Sequence, residues 1–121
     1  MKKREIIHSC RGMVTGGSKI AKIIGFPTAN IVCANLELAG TYASDVVIDK
    51  TAHHAAVYAD PKRHILEAHI LDFSGDLYGQ EIAIRLFQKV AESEPYKDEQ
   101  EMRRVVSEAV EAVRKYFASN E

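Results

Sequence analysis

A chain of 121 residues with 46% hydrophobic and 27% charged positions has room for one soluble domain with a core of its own. Its formal net charge of −1 excludes a broad basic field, so a general grip on nucleic acid or on an anionic membrane is not expected. No apolar run approaches bilayer length, and the apolar piece after Met1-Lys2-Lys3-Arg4-Glu5 is too short for a secretory signal, so the expected state is a cytoplasmic monomer.

In chain order, Ile6 to Val14 alternates well enough for a first strand, which runs into the stretch Gly16-Gly17-Ser18-Lys19. Glycines let backbone N–H groups close on an anion, and Lys19 and Lys22 add charge, although P-loop spacing is absent and a hairpin turn explains the stretch equally well. Next comes Gly25-Phe26-Pro27-Thr28-Ala29-Asn30, where Pro27 fixes its own φ and holds Phe26 extended. This corner presents the Thr28 hydroxyl and the Asn30 carboxamide, hard oxygens that suit Mg²⁺ and a phosphate. The alternative is turn chemistry, in which both side chains bond their own backbone.

Ile31 to Cys33 reads as a short extended piece, and Thr41 to Asp49 as a clearer strand. There Tyr42, Ser44, Val46 and Ile48 share one face while Asp45 and Asp49 take the other, a pattern that predicts a strand open to water on one side. Asp49-Lys50-Thr51 turns into a strand over His54 to Ala59, which Asp60-Pro61 stops. His64 to Phe73 is apolar on both parities and reads as a central strand; Ser74-Gly75-Asp76 turns the chain, and Ile82, Ile84 and Leu86 alternate in a last strand. Short strands with no helix between them imply an all-β antiparallel barrel or sandwich.

The period then changes. Met102, Val105, Val106, Ala109, Val110, Val113 and Phe117 recur at helical spacing, with Asp98 and Glu101 as a capping box and Arg114 and Lys115 expected to end the helix. The layout is thus a single domain with a barrel over about 5–90 and a C-terminal helix over about 98–118. Tyr96, in the Pro95-kinked connection, is either a lid aromatic or a staple for the start of the helix.

Three residue types need a functional reading beside a structural one. Glu67 shares strand parity with Ile65, His69 and Leu71, and a carboxylate on so apolar a face can serve as general base for an alcohol; the alternative is a strand glutamate paired with Lys62, Arg63 or His69. Cys10 and Cys33 have no CxxC or Cys/His spacing, which predicts two small buried residues rather than a zinc site or disulfide framework. His53, His54, His64 and His69 read as surface or packing residues.

At Gly25-Phe26-Pro27-Thr28-Ala29-Asn30, and again from Leu66-Glu67-Ala68-His69-Ile70-Leu71-Asp72-Phe73 through Asp76-Leu77-Tyr78-Gly79, the chain resembles riboflavin kinase. The likeness covers nearly the whole sequence, and two motifs in the right order are more specific than either alone. It implies a six-stranded antiparallel Greek-key barrel with a packed C-terminal helix, and transfer of the γ-phosphoryl of ATP to the 5′-hydroxyl of riboflavin, giving FMN. It implies Glu67 as the catalytic base and Thr28 and Asn30 at Mg²⁺ and nucleotide phosphate. Gly16, Gly17, Ser18, Lys22, Pro27 and Tyr78 would lie on the nucleotide side, and Tyr96 beside the flavin. The partners implied are small molecules, ATP and riboflavin, with neither nucleic acid nor membrane. Many members carry an FMN adenylyltransferase domain as well, for which 121 residues leave no room, so FAD synthesis by this chain is not expected.

The chain differs from the family pattern at Ala55 to Arg63, and at Ala91 and Ser93, which replace a basic residue and its acidic neighbour. Both differences fall on the flavin side. They make a non-catalytic flavin-binding, nucleotide-binding or regulatory protein of the same fold the alternative reading.

Overall fold

The computed structural model describes residues 4–16, 28–93, 95 and 97–119. Six strands, β1 (His8–Met13), β2 (Thr28–Val32), β3 (Gly40–Ile48), β4 (Thr51–Asp60), β5 (Ile65–Ile70) and β6 (Glu81–Ala91), precede a helix, α1 (Glu99–Ser119). They pair antiparallel in the order β1-β6-β3-β4-β5-β2. The run β2-β5-β4-β3 is three consecutive hairpin strands with β2 laid beside β5, a Greek key. The sheet curls into a nearly closed barrel, its end strands brought together where Asn30 N–H donates to the Gly16 carbonyl (2.8 Å) and Thr15 N–H to the Asn30 carbonyl (2.9 Å).

Local chemistry explains the strand ends. Asp49 and Lys50 both take positive φ (47° and 70°), the geometry of a two-residue turn whose twist matches the strands it joins. His64 and Asp72 do the same on either side of β5 (both 54°), so the strand is shorter than the apolar run His64 to Phe73 predicts. β6 runs on to Ala91, past the expected Leu86, with register shifts against β3 between Thr41 and Tyr42 and between Ala43 and Ser44.

Strand parity divides the molecule into two cores. Inward residues such as Ala29, Ile31, Val46, Val57, Leu66 and Ile84 fill the barrel with essentially no exposure. On the outer face, Ala43, Ala56, Leu71 and Phe87 form a shallow seat whose small side chains let the helix approach, and Met102, Val106, Val110, Val113 and Phe117 pack into it. Burying both faces overturns the expectation that β3 is open to water on one side: Asp45 is only 9% exposed, and its carboxylate accepts from Arg85 on the neighbouring strand (2.9 Å).

The helix starts as its capping box dictates. Asp98 Oδ1 accepts from Glu101 N–H (2.8 Å), and Glu101 Oε2 reaches back to Lys97 N–H (2.9 Å). It does not end at Arg114 and Lys115. It runs to Ser119 with no basic residue in its last turn, and Arg114 instead forks onto the Asp72 carboxylate (3.3 Å to each oxygen), tying the helix to the end of β5. Among the described residues no helix is long and apolar enough to cross a membrane.

Candidate active site

The outer face of β2, β5 and β4 carries polar side chains in register. In antiparallel pairs, directly opposed residues point to the same side, so the pairings Asn30↔Glu67, Glu67↔Tyr58 and Tyr58↔Thr41 make one transverse row across four strands. The next row holds Thr28 opposite His69, and His69 opposite Ala56. Thr28, Asn30, Glu67 and His69 therefore form a four-cornered cluster of two oxygen-bearing side chains, a carboxylate and an imidazole. No one strand could assemble it.

Within the cluster His69 Nε2 lies 3.2 Å from Glu67 Oε1, with side-chain exposures of 7% and 17%. The alternative reading of Glu67 as a paired strand residue is thus realised in part. Of the expected partners, His69 takes that place, while Arg63 binds Asp60 through Nε at 2.8 Å. His69, expected to be a surface or packing residue, sits in the cluster itself. Its E-x-H spacing on a strand was the available signal, because residues two apart share a face. Two buried polar atoms there lack a hydrogen bond, Asn30 Oδ1 and His69 Nδ1. An acceptor left unpaired in a buried setting is costly unless something else meets it.

Glu67 and His69, but neither Thr28 nor Asn30, line a cleft of about 690 Å³, the size of a small-molecule site. Its floor is Glu67, His69, Tyr58 and Thr41; one wall is the apolar side of α1, with Met102, Val105, Val106 and Ala109; the other is Val90 to Ser93 and Pro95. Asp60 and Arg63 sit at its edge. Asp60 Oδ1 accepts from the backbone N–H groups of Lys62 (3.2 Å) and Arg63 (3.3 Å), and the bond from the Arg63 side chain holds its carboxyl below the usual range. Tyr58, Asp60 and Arg63 enter the sequence reading only within the stretch that departs from the family pattern, Arg63 also as a candidate partner of Glu67, since nothing local tells which strands β4 lies between.

The other expected site residues divide. Gly16 is bridged to Asn30, and among the described residues nothing lies within 4 Å of where a Cβ would stand. Tyr78 does not line the cleft: it is 69% exposed, on a loop whose next residue, Gly79, donates N–H to the Val14 carbonyl (3.0 Å) two residues before Gly16. Gly17, Ser18, Lys22, Pro27 and Tyr96 lie outside the described residues. Thr28 and Asn30 are in a strand rather than a turn, and Asn30 Oδ1 bonds no backbone group, so turn chemistry does not account for that carboxamide.

Asn30 offers a buried, unengaged neutral oxygen with the Thr28 hydroxyl on the same face, a donor set that fits a hard cation such as Mg²⁺. Among the described residues no three His, Cys, Asp or Glu side chains are grouped to hold a metal. A cation bound here would take the rest of its ligands from water or phosphate oxygens, as Mg²⁺ commonly does.

Comparison with known proteins agrees with this architecture. The family model for riboflavin kinase (Flavokinase) matches residues 5–117. A bifunctional riboflavin kinase/FMN adenylyltransferase of Pseudomonas fluorescens is 32% identical over 113 residues, covering 85% of this chain and 36% of that protein. The chain therefore spans little more than a third of that curated relative's length. Among solved structures, riboflavin kinase from Trypanosoma brucei superimposes with a TM-score of 0.63 at 21% identity, covering 91% of this chain and 79% of that one. A protein from Streptococcus pneumoniae described as a macrolide-efflux protein gives 0.70 at 23% identity, covering 88% of this chain and 36% of its own. At these identities the two structures speak for the fold.

Proposed function

Because the chain belongs to the riboflavin kinase family, we propose that it transfers the γ-phosphoryl group of ATP to the 5′-hydroxyl of riboflavin, giving FMN and ADP. The observation that carries the proposal is Glu67, on the floor of a cleft with one apolar wall, paired with Asn30 across β5 and β2. A carboxylate and a candidate phosphate-side oxygen are thereby held side by side on a rigid sheet. Phosphoryl transfer asks mainly for such alignment and for charge neutralisation.

Glu67 accepts the hydroxyl proton as the ribityl oxygen bonds to the γ-phosphorus and the bond to the ADP oxygen breaks. His69 holds the carboxylate in place from within the same strand. Thr28 and Asn30 would hold Mg²⁺, which when bound neutralises phosphate charge. Gly16, Gly17, Ser18, Lys22, Pro27 and Tyr78 serve the nucleotide side. The helix wall of Met102, Val105, Val106 and Ala109 offers an apolar surface suited to an isoalloxazine ring, and the family resemblance assigns Tyr96 to the flavin. The site is that of a soluble cytoplasmic enzyme acting on small molecules as a monomer.

One observation favours a second reading. Ala91 and Ser93 both line the cleft, at the positions where the family pattern has a basic and an acidic residue. A descendant that binds flavin or nucleotide without turnover would retain the cleft and lose those charges. Incubating the chain with riboflavin, ATP and Mg²⁺ and following FMN by chromatography separates the two. Appearance of FMN supports the kinase; its absence, with riboflavin or MgADP still binding in calorimetry, supports the binder.

A further inference from the structure

β1 and β2 end the strand order, and among the described residues their backbones are joined only at Thr15, Gly16 and Asn30. Along the rest of the seam they meet by close packing. A Cβ on Gly12 would stand 3.4 Å from Ile31 Cβ and 3.5 Å from the Val32 carbonyl oxygen. Two residues back along β1, the Cys10 thiol lies 3.8 Å from the same carbonyl, that of the residue before Cys33, and near enough to the Cys33 thiol to raise its pKa. His8, one further step along that face, brings Nε2 to 3.3 Å from Cys33 Sγ. Both cysteines are free thiols, Cys10 half-buried and Cys33 2% exposed. The sequence predicts two unconnected buried residues, whereas the fold makes them neighbours with a histidine attached. The trio is not grouped as a metal site.

We propose that Cys10 and Cys33 form a redox-modification site, at which an oxidant of the peroxide class converts the thiol pair to a disulfide that ties β1 to β2 across the barrel seam. Cys10, the more accessible sulfur, attacks one peroxide oxygen; the O–O bond breaks, one water leaves, and Cys10 becomes a sulfenic acid. Cys33 Sγ then displaces the hydroxyl from the Cys10 sulfur, giving the disulfide. His8 Nε2 takes the Cys33 proton and passes it to the leaving hydroxide, so two thiols and one peroxide yield one disulfide and two waters. Exposure assigns the opening attack to Cys10; burial and the adjoining Cys10 thiol push Cys33 up to about 12, so its attack depends on His8 Nε2 taking the proton as the S–S bond forms. The bond would enclose residues 11–32, the stretch that carries Gly16, Thr28 and Asn30. The inference stands on the thiol geometry and is independent of the phosphoryl-transfer reading.

The test treats the reduced, folded chain with dilute hydrogen peroxide, then counts free thiols and maps peptides by mass spectrometry. The expected result is loss of both thiols in a monomer, a Cys10–Cys33 linked peptide that dithiothreitol reverses, and a higher denaturant midpoint than the reduced chain. In Cys33→Ser, dimedone should trap a sulfenic acid on Cys10. Oxidation of Cys10 to a sulfinic acid with Cys33 still free, dimers linked through Cys10, or a link that forms only in denaturant would each overturn the proposal.

Discussion

Replacing Glu67 by glutamine removes a negative charge and a proton acceptor while keeping the shape of the side chain, at the position where Asn30, Tyr58 and His69 converge. The amide oxygen can keep the 3.2 Å contact with His69 Nε2, so the folded chain should lose about 1 kcal/mol or less. The chemical step is another matter. A positioned general base contributes roughly 10²–10⁴-fold, equivalent to about 2.7–5.4 kcal/mol of barrier, and the glutamine supplies none of it. Single-turnover formation of FMN should slow by that factor, with MgADP affinity within about twofold of the parent because the missing group acts on the acceptor hydroxyl. Glu67→Ala is the control with the opposite balance. It removes the carboxylate that faces the buried His69 ring, whose Nδ1 already has no hydrogen bond, and should cost about 1–3 kcal/mol in a denaturant melt. A Glu67→Gln enzyme within about tenfold of the parent rate would refute the base assignment, and an unshifted Glu67→Ala melt would refute the pairing.

Asn30→Ala removes a buried oxygen that bonds nothing, so stability should change by only about 0.5 kcal/mol while Mg²⁺-dependent ADP binding in calorimetry is lost; retained binding would take Asn30 off the nucleotide side. Gly40→Ala sets a Cβ 2.8 Å from the Ala91 carbonyl oxygen at φ +107°, and should cost about 1–3 kcal/mol, with weakened riboflavin binding because Ala91 lines the cleft. Asp60, its carboxyl lowered by the Arg63 hydrogen bond, contributes stability above its unfolded value of about 3.9, and the contribution fades as pH falls through the lower folded value. Asp60→Asn should therefore lower the unfolding free energy from a denaturant melt by about 0.5–1 kcal/mol near neutral pH and by progressively less below about pH 4; an equal loss at both ends would show that charge is not the cause.

The kinase motifs stand out in the sequence because each is a short run with its own backbone demand. Pro27 forces an extended approach, and E-x-H sets Glu67 and His69 on one face because strand side chains repeat every second residue. Period likewise separated the strands from the helix, and Asp98 and Glu101 marked where the helix begins. These are properties of a residue and its near neighbours, so the linear chain determines them alone.

What only the tertiary structure decided is which elements are neighbours. Asn30 stands beside Glu67, and Tyr58 on its other side, because β5 pairs with β2 and β4 in one register. A slip of one residue would turn every one of those side chains to the opposite face, and no local pattern records the choice. Burial on the second face is decided in the same way: Asp45 reads as a solvent residue until Arg85 on the neighbouring strand reaches its carboxylate. So is the meeting of Cys10 with Cys33, brought about by closing a curved sheet on itself. Local conformation is set by sterics within a few residues, whereas pairing across the barrel is set by burial summed over the whole sheet, and the site chemistry depends on that second quantity.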